Sequence, residues 1–226
     1  MKQTISNYEE FLKTLVLYPD LWRVKSVEMD LRGDLNPSNE LDNLFFNKGK
    51  WLGFQDFFIY YLSKHREKLI EICGEGSRDE FKLGLKARLY RTQFSILTEY
   101  HAYFMARMLF GVYNVKRSLY LDKSGVDFQI FYNYNKYNIH IFTDTQRAWE
   151  YRRGKSKFKQ SEKIEGIHVN FPYSIQSGNV NSVSFLPNGF GVFKSSYFDY
   201  FKSQIDCGNI KSNNICKMSQ NGFVYG

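Results

Sequence analysis

Two aspartates stand near the outer ends of a pair of apolar, strand-like runs in SGVDFQIFYNYNKYNIHIFTDTQ, from Ser124 to Gln146. A sheet that buries valine, isoleucine and phenylalanine gains nothing from an isolated carboxylate, so Asp127 and Asp144 each need something to offset their charge. A hairpin turn centred on Asn135 and Lys136 would pair Asp127 directly with Asp144. Two like charges then face each other, an arrangement that a cation held between them would stabilise. A slip of one residue would send the aspartates to opposite faces.

A third acid comes from the long helical pattern that starts at the SRDE capping box of Ser77 and Glu80 and runs to Phe110. Glu99 falls on its apolar stripe, in line with Phe81 and between Ile96 and Tyr103. A lone buried acid is usually satisfied by an arginine or a backbone donor. Together with Asp127 and Asp144 it instead makes an oxygen-rich site of the kind magnesium prefers.

Gln146 lies two residues beyond Asp144 and shares its face if the strand continues. Arg147, Arg152, Arg153, Lys155, Lys157, Lys159 and Lys163 follow, interleaved with Trp149, Tyr151 and Phe158. Such a run is either a solvated face or a phosphate-binding surface, and a neighbouring metal site favours phosphate. His140 shares a face with Phe142 and Asp144. It is either a DNA contact at the edge of the site or a satisfied structural group.

A helix acid, a strand aspartate, and a second strand with an acid two residues before a lysine form the pattern of PD-(D/E)XK nucleases, in this chain order. In that chemistry the metal holds the scissile phosphate and lowers the pKa of the attacking water, while the lysine orients that water or stabilises charge. Here the second motif is DTQ. Gln146 stands where the lysine would be, and an amide can hold a water but supplies no charge. Lys155 or Arg147 is the compensating cation this reading requires.

The block LKARLYRTQFSILTEYHAYFMARMLFG, with SGVDFQIFY after it and LPNGFGVF further on, resembles the TaqI-type restriction endonucleases. The similarity runs from Glu80 to Phe193, and VEMDLRGDLNP joins it from the segment Arg23 to Pro37. The resemblance implies a magnesium-dependent type II homodimer that cuts double-stranded DNA at a short, TCGA-like palindrome. It places Asp127 on the family's catalytic aspartate, and it carries over less directly to Asp144 and Gln146. The alternative is a nucleic-acid-binding protein on the same fold that has lost hydrolysis with the lysine.

The elements that must position these residues divide the chain by period. The first half is helical, with helices expected over Asn7–Tyr18, Phe54–Ile72 and Ser77–Phe110 around an extended segment, Arg23–Asn39. Beyond Gly111 the period alternates, giving strands at Val112–Val115, Val126–Tyr132, Asn138–Thr143, Gly166–Phe171 and Ser182–Phe193, with helices at Thr145–Arg153 and Ser196–Ile205. The expected fold is α/β (α+β), a helical N-terminal half packed on a mixed central sheet flanked by helices. A single domain is expected over residues 1–226, with a helical part (1–76), a nuclease core (77–205) and a C-terminal tail (206–226).

The 226 residues, 43% hydrophobic, suffice for a substantial core, and the formal charge of +8 favours a polyanionic partner. Cys73, Cys207 and Cys216 show no zinc-ligand spacing and read as reduced thiols. With no signal-peptide pattern and no uninterrupted apolar span, a cytoplasmic protein without membrane contact is expected. Residues 125–146 hold no Gly-rich phosphate loop, which argues against a nucleoside triphosphatase.

Overall fold

The computed structural model of the chain describes residues 4–24, 31, 33–74, 78–146, 148–150, 164–174, 182–210, 214–219 and 222–225. Its contacts group into two compact units. One comprises Met1–Glu9, Thr98–Leu186 and Gly191–Gly226, the other Glu10–Leu97 and Pro187–Phe190.

The first unit is built on a mixed sheet. Its strands are β1 (Val115–Lys116), β2 (Phe128–Tyr132), β3 (Asn135–Thr143), β4 (Ile167–Tyr173), β7 (Asn214–Ser219) and β8 (Gly222–Tyr225), in that spatial order. β1 to β3 are antiparallel neighbours, whereas β3–β4 and β4–β7 are parallel. A separate hairpin joins β5 (Val183–Phe185) to β6 (Gly191–Phe193). The tail beyond residue 206 therefore contributes strands at 214–219 and 222–225 to the sheet.

One face of the sheet is apolar. Phe128, Ile130, Tyr137, Ile139, Ile141, Val169, Phe171 and Tyr173 are buried on it. The helix Ser195–Asp206 packs there through Phe201, whose ring meets Phe171 at 4.8 Å and 90°. The C-terminal part of the long helix Arg78–Phe110 packs there too, with Tyr103 6.1 Å from Phe128 and Phe110 6.0 Å from Phe201. Burying an aromatic side chain of this kind is worth roughly 1.5–3 kcal/mol each.

The β2–β3 register differs from the expected one. The turn lies at Asn133 and Tyr134, both at positive φ (48° and 63°), the backbone that a two-residue type I′ hairpin demands. Phe128 consequently pairs with Ile139 and Ile130 with Tyr137, and Asp127 is not opposite Asp144. The sequence reading missed this because asparagine is the ordinary occupant of such a turn but tyrosine is not. The shift is an even number of residues, so the two aspartates keep the same parity.

The second unit is helical. The predicted helix Phe54–Ile72 is broken at His65 into Phe54–Lys64 and Arg66–Cys73. The segment expected to be extended holds a helix, Pro37–Asp42, because Asn36 accepts a capping bond from Ser38 N at 3.0 Å and Pro37 starts the first turn. Its core is an aromatic cluster in which Tyr90 contacts Tyr18, Trp22, Phe54 and Phe94. Ser77 of the proposed capping box lies outside the described residues. Among the described residues no helix is long and apolar enough to cross a membrane.

Gly166, at the entrance to β4, has φ +132°, and a Cβ there would sit 2.7 Å from the Lys136 carbonyl oxygen. Backbone cannot yield at that distance. Gly166→Ala should therefore destabilise the protein by about 1–3 kcal/mol, read as a lowered melting temperature relative to the parent.

Candidate active site

The sheet face opposite the aromatic core carries the polar side chains. Register places Lys116 beside Gln129, Gln129 beside Asn138, and Asn138 beside His168, one residue from each of β1 to β4. The row is bonded across the strands: Gln129 Nε2 donates to Asn138 Oδ1 at 2.8 Å, and Asn138 Nδ2 lies 3.3 Å from His168 Nε2. Asn138 is wholly buried, so these bonds are what make an amide tolerable there.

His140 belongs to the same face and stacks on His168 with rings 13° from parallel and Nε2 2.9 Å from His168 Nδ1. Its Nδ1 is 2.6 Å from the Gly125 carbonyl oxygen, which only accepts, so Nδ1 carries the hydrogen.

Asp127 enters this face at the head of β2. Its backbone N donates to Ile139 O at 3.0 Å, and its carboxylate accepts from Ile141 N. Arg117 Nη1 donates to the Asp127 carbonyl oxygen at 2.8 Å and lies 3.8 Å from Glu99 Oε2, while Nη2 is 3.9 Å from Asp122 Oδ1. The guanidinium also stands 5.0 Å from the Tyr100 ring. With a side chain only 3% exposed, Arg117 is a buried cation whose charge is matched by two acids. Tyr8 lies within the same field. Burial chiefly raises its phenol pKa well above the ordinary value, Arg117 lowers it and Glu99 raises it.

A cleft of about 590 Å³ opens at the β1 edge beside this cluster, and Lys116, Arg117, Ser118, Tyr120, Gln129, Lys136 and Glu165 are among its lining residues. Among the described residues its lining holds three cations against one acid. Lys136 is held by Glu165 at 2.6 Å.

The family model described as TaqI restriction endonuclease matches residues 5–181. The chain belongs to the TaqI restriction endonuclease family. It is 30% identical to the type II restriction enzyme TthHB8I of Thermus thermophilus, over 87% of this chain and 86% of that enzyme. It is 27% identical to the type II restriction enzyme TaqI of Thermus aquaticus, with the same coverage. No solved structure matches the chain significantly.

Within this TaqI-family chain the predicted site residues separate. Glu99 has the arginine partner that an isolated buried acid ordinarily takes. Asp144 N donates to Tyr173 O at 2.7 Å, and its Oδ1 accepts from Trp149 Nε1 at 2.8 Å. As a metal centre built from Glu99, Asp127 and Asp144 the arrangement does not fit, since among the described residues no group of three or more His, Cys, Asp and Glu is gathered to hold an ion.

The placement of Gln146 on the strand is also corrected. β3 ends at Thr143, Thr145 Oγ1 accepts from Ala148 N at 3.2 Å, and the chain turns into a helix. Gln146 there donates to Glu150 Oε1 at 2.9 Å, an exposed pair one helical turn apart. His140 is 1% exposed, which makes it an interior group and not a DNA contact at the edge of the site. Arg147, Arg152, Arg153, Lys155, Lys157, Lys159 and Lys163 lie outside the described residues.

Arg117, Asn138 and His168 escaped the sequence reading. The alternation of Asp127 with Gln129, and of Asn138 with His140, was a legible signal for a polar face. The parallel β3–β4 pairing that adds His168 was not.

Because, among the described residues, Gln146 bonds its own helix partner Glu150, Gln146→Ala should leave the rate of DNA cleavage within about threefold of the parent, and a comparison of single-turnover rates checks this. A loss of a hundredfold or more would put the amide back at the reacting centre.

Proposed function

We propose that this chain is a type II site-specific deoxyribonuclease that hydrolyses phosphodiester bonds in double-stranded DNA, with magnesium as cofactor. The observation that carries the reading is the family match, which spans residues 5–181 and so takes in part of each unit and every member of the polar row from Lys116 to His168. A TCGA-like palindrome as target, and a two-fold symmetric homodimer to read it, rest on the resemblance to the TaqI-type enzymes.

Asp127 is the acid we assign to the chemistry. It heads the central hairpin, its carboxylate is oriented by the Ile141 amide, and its backbone is held by Arg117. A divalent ion would supply a lowered water pKa and neutralisation of phosphate charge, and Asp127 offers it the hard oxygen donor it prefers. Glu99, in this reading, positions Arg117.

A second reading is favoured by the end of β3 at Thr143, which leaves no lysine two residues after an acid on that strand. It is a DNA-binding protein of the same family without hydrolysis.

Plasmid DNA separates the two. Discrete fragments with magnesium and intact plasmid with EDTA are expected, whereas intact plasmid with both magnesium and manganese, at low salt and high protein, would establish the binding-only reading.

Asp127→Asn keeps the side chain's shape and removes its charge. It should reduce cleavage by about a thousandfold or more while leaving DNA affinity, measured in EDTA, near the parent value. Cleavage within threefold of the parent would remove Asp127 from the chemistry.

A further inference from the structure

We infer that the cleft at the β1 edge is a binding site for a phosphodiester of the DNA backbone, with Lys116 as its principal ligand. The inference rests on the nuclease reading only for the identity of the polyanion. Of the three cations that line the cleft among the described residues, two have acid partners. Arg117 stands between Glu99 at 3.8 Å and Asp122 at 3.9 Å, and Lys136 is bonded to Glu165 at 2.6 Å.

Lys116 differs from both. It is exposed, it lies on the edge strand of the sheet, and among the described residues it has no carboxylate partner. Its register partner is Gln129, so it occupies the outer end of the polar row whose inner members are Asn138 and His168. A lysine ammonium is a compact point charge that recognises phosphate without demanding one orientation. Ser118 and Gln129, which also line the cleft, add neutral donors beside it.

The next residue along the chain fixes where this charge acts. Arg117 donates to the Asp127 carbonyl oxygen at 2.8 Å, and Asp127 lies two residues before Gln129, the register partner of Lys116. A DNA strand whose phosphate sits on Lys116 is thereby held at the sheet face that Asp127 enters. An edge-strand lysine also guards a sheet against pairing with another chain. That role alone would leave the salt dependence of DNA binding unchanged.

The test compares the full-length parent with Lys116→Ala, Lys116→Glu and Lys116→Arg. Affinity for a duplex containing TCGA and for a scrambled duplex is measured by fluorescence anisotropy across a salt titration in EDTA. Lys116→Ala should lower the slope of log affinity against log salt by about one unit and weaken binding about threefold or more at low salt, equally for both duplexes. Lys116→Glu should weaken it further, and Lys116→Arg should restore the slope.

Equal melting temperatures across the series show that the fold is intact, which the exposure of Lys116 leads us to expect. An unchanged slope and affinity in Lys116→Ala, with a parent that cuts DNA, overturns the inference and leaves the nuclease reading standing. A parent that binds but never cuts, with the slope lowered in Lys116→Ala, overturns the nuclease reading and upholds the phosphate site.

Discussion

Everything at the candidate site depends on where one hairpin turns. With Asn133 and Tyr134 both at positive φ, the β2–β3 register follows, and with it the face on which every side chain of the two central strands lies. Phe128, Ile130, Tyr137, Ile139 and Ile141 go to the aromatic core. Asp127, Gln129, Asn138 and His140 go to the other side. A loop one residue longer or shorter would slip the register by one and turn the polar side chains of one strand onto the aromatic core. The cost of that exchange, several buried polar groups left unbonded, is what pins the register.

That constraint also explains which parts of the site were legible in the sequence. Alternation identifies the strands around Asp127 and the helix around Glu99, because each side chain's face is set by local geometry with a fixed period. The mixed α/β fold and the family follow from such segments. Three features were not legible. Tyr134 in a left-handed conformation goes against its own preference and is imposed by the hairpin around it. The parallel partner of β3 is reached only after residues 144–166, so nothing near His140 announces His168. β3 ends at Thr143 where Thr145 caps the turn that follows, while the string IFTDTQ alternates well enough to suggest that the strand continues.

The electrostatic logic of the unit separates charges held within the fold from charges left open. Arg117 is surrounded by Glu99, Asp122 and Tyr100, so its contribution is rigidity: it ties the long helix, the segment before β2 and the Asp127 backbone to one guanidinium. Removing either acid would leave a buried cation short of a partner, a loss of a few kcal/mol at such sites. Glu99 is thus accounted for by position, and the proposed chemistry relies on Asp127 instead.

The buried polar row gives the fold no stability that valines would not give more simply, and its value must lie in what it holds. Asn138 is the informative member. Besides its bonds to Gln129 and His168, its Nδ2 lies 3.4 Å from the carbonyl oxygens of both Ile164 and Glu165. Those two residues line the cleft, and Glu165 is the partner of Lys136. One amide, itself positioned by the register of the hairpin, therefore holds the part of the cleft wall that Ile164 and Glu165 form. The same four-strand row has an open cation at its outer end and the scaffold of the cleft at its centre. The polar face and the cleft are on this account one construction, joined at Asn138.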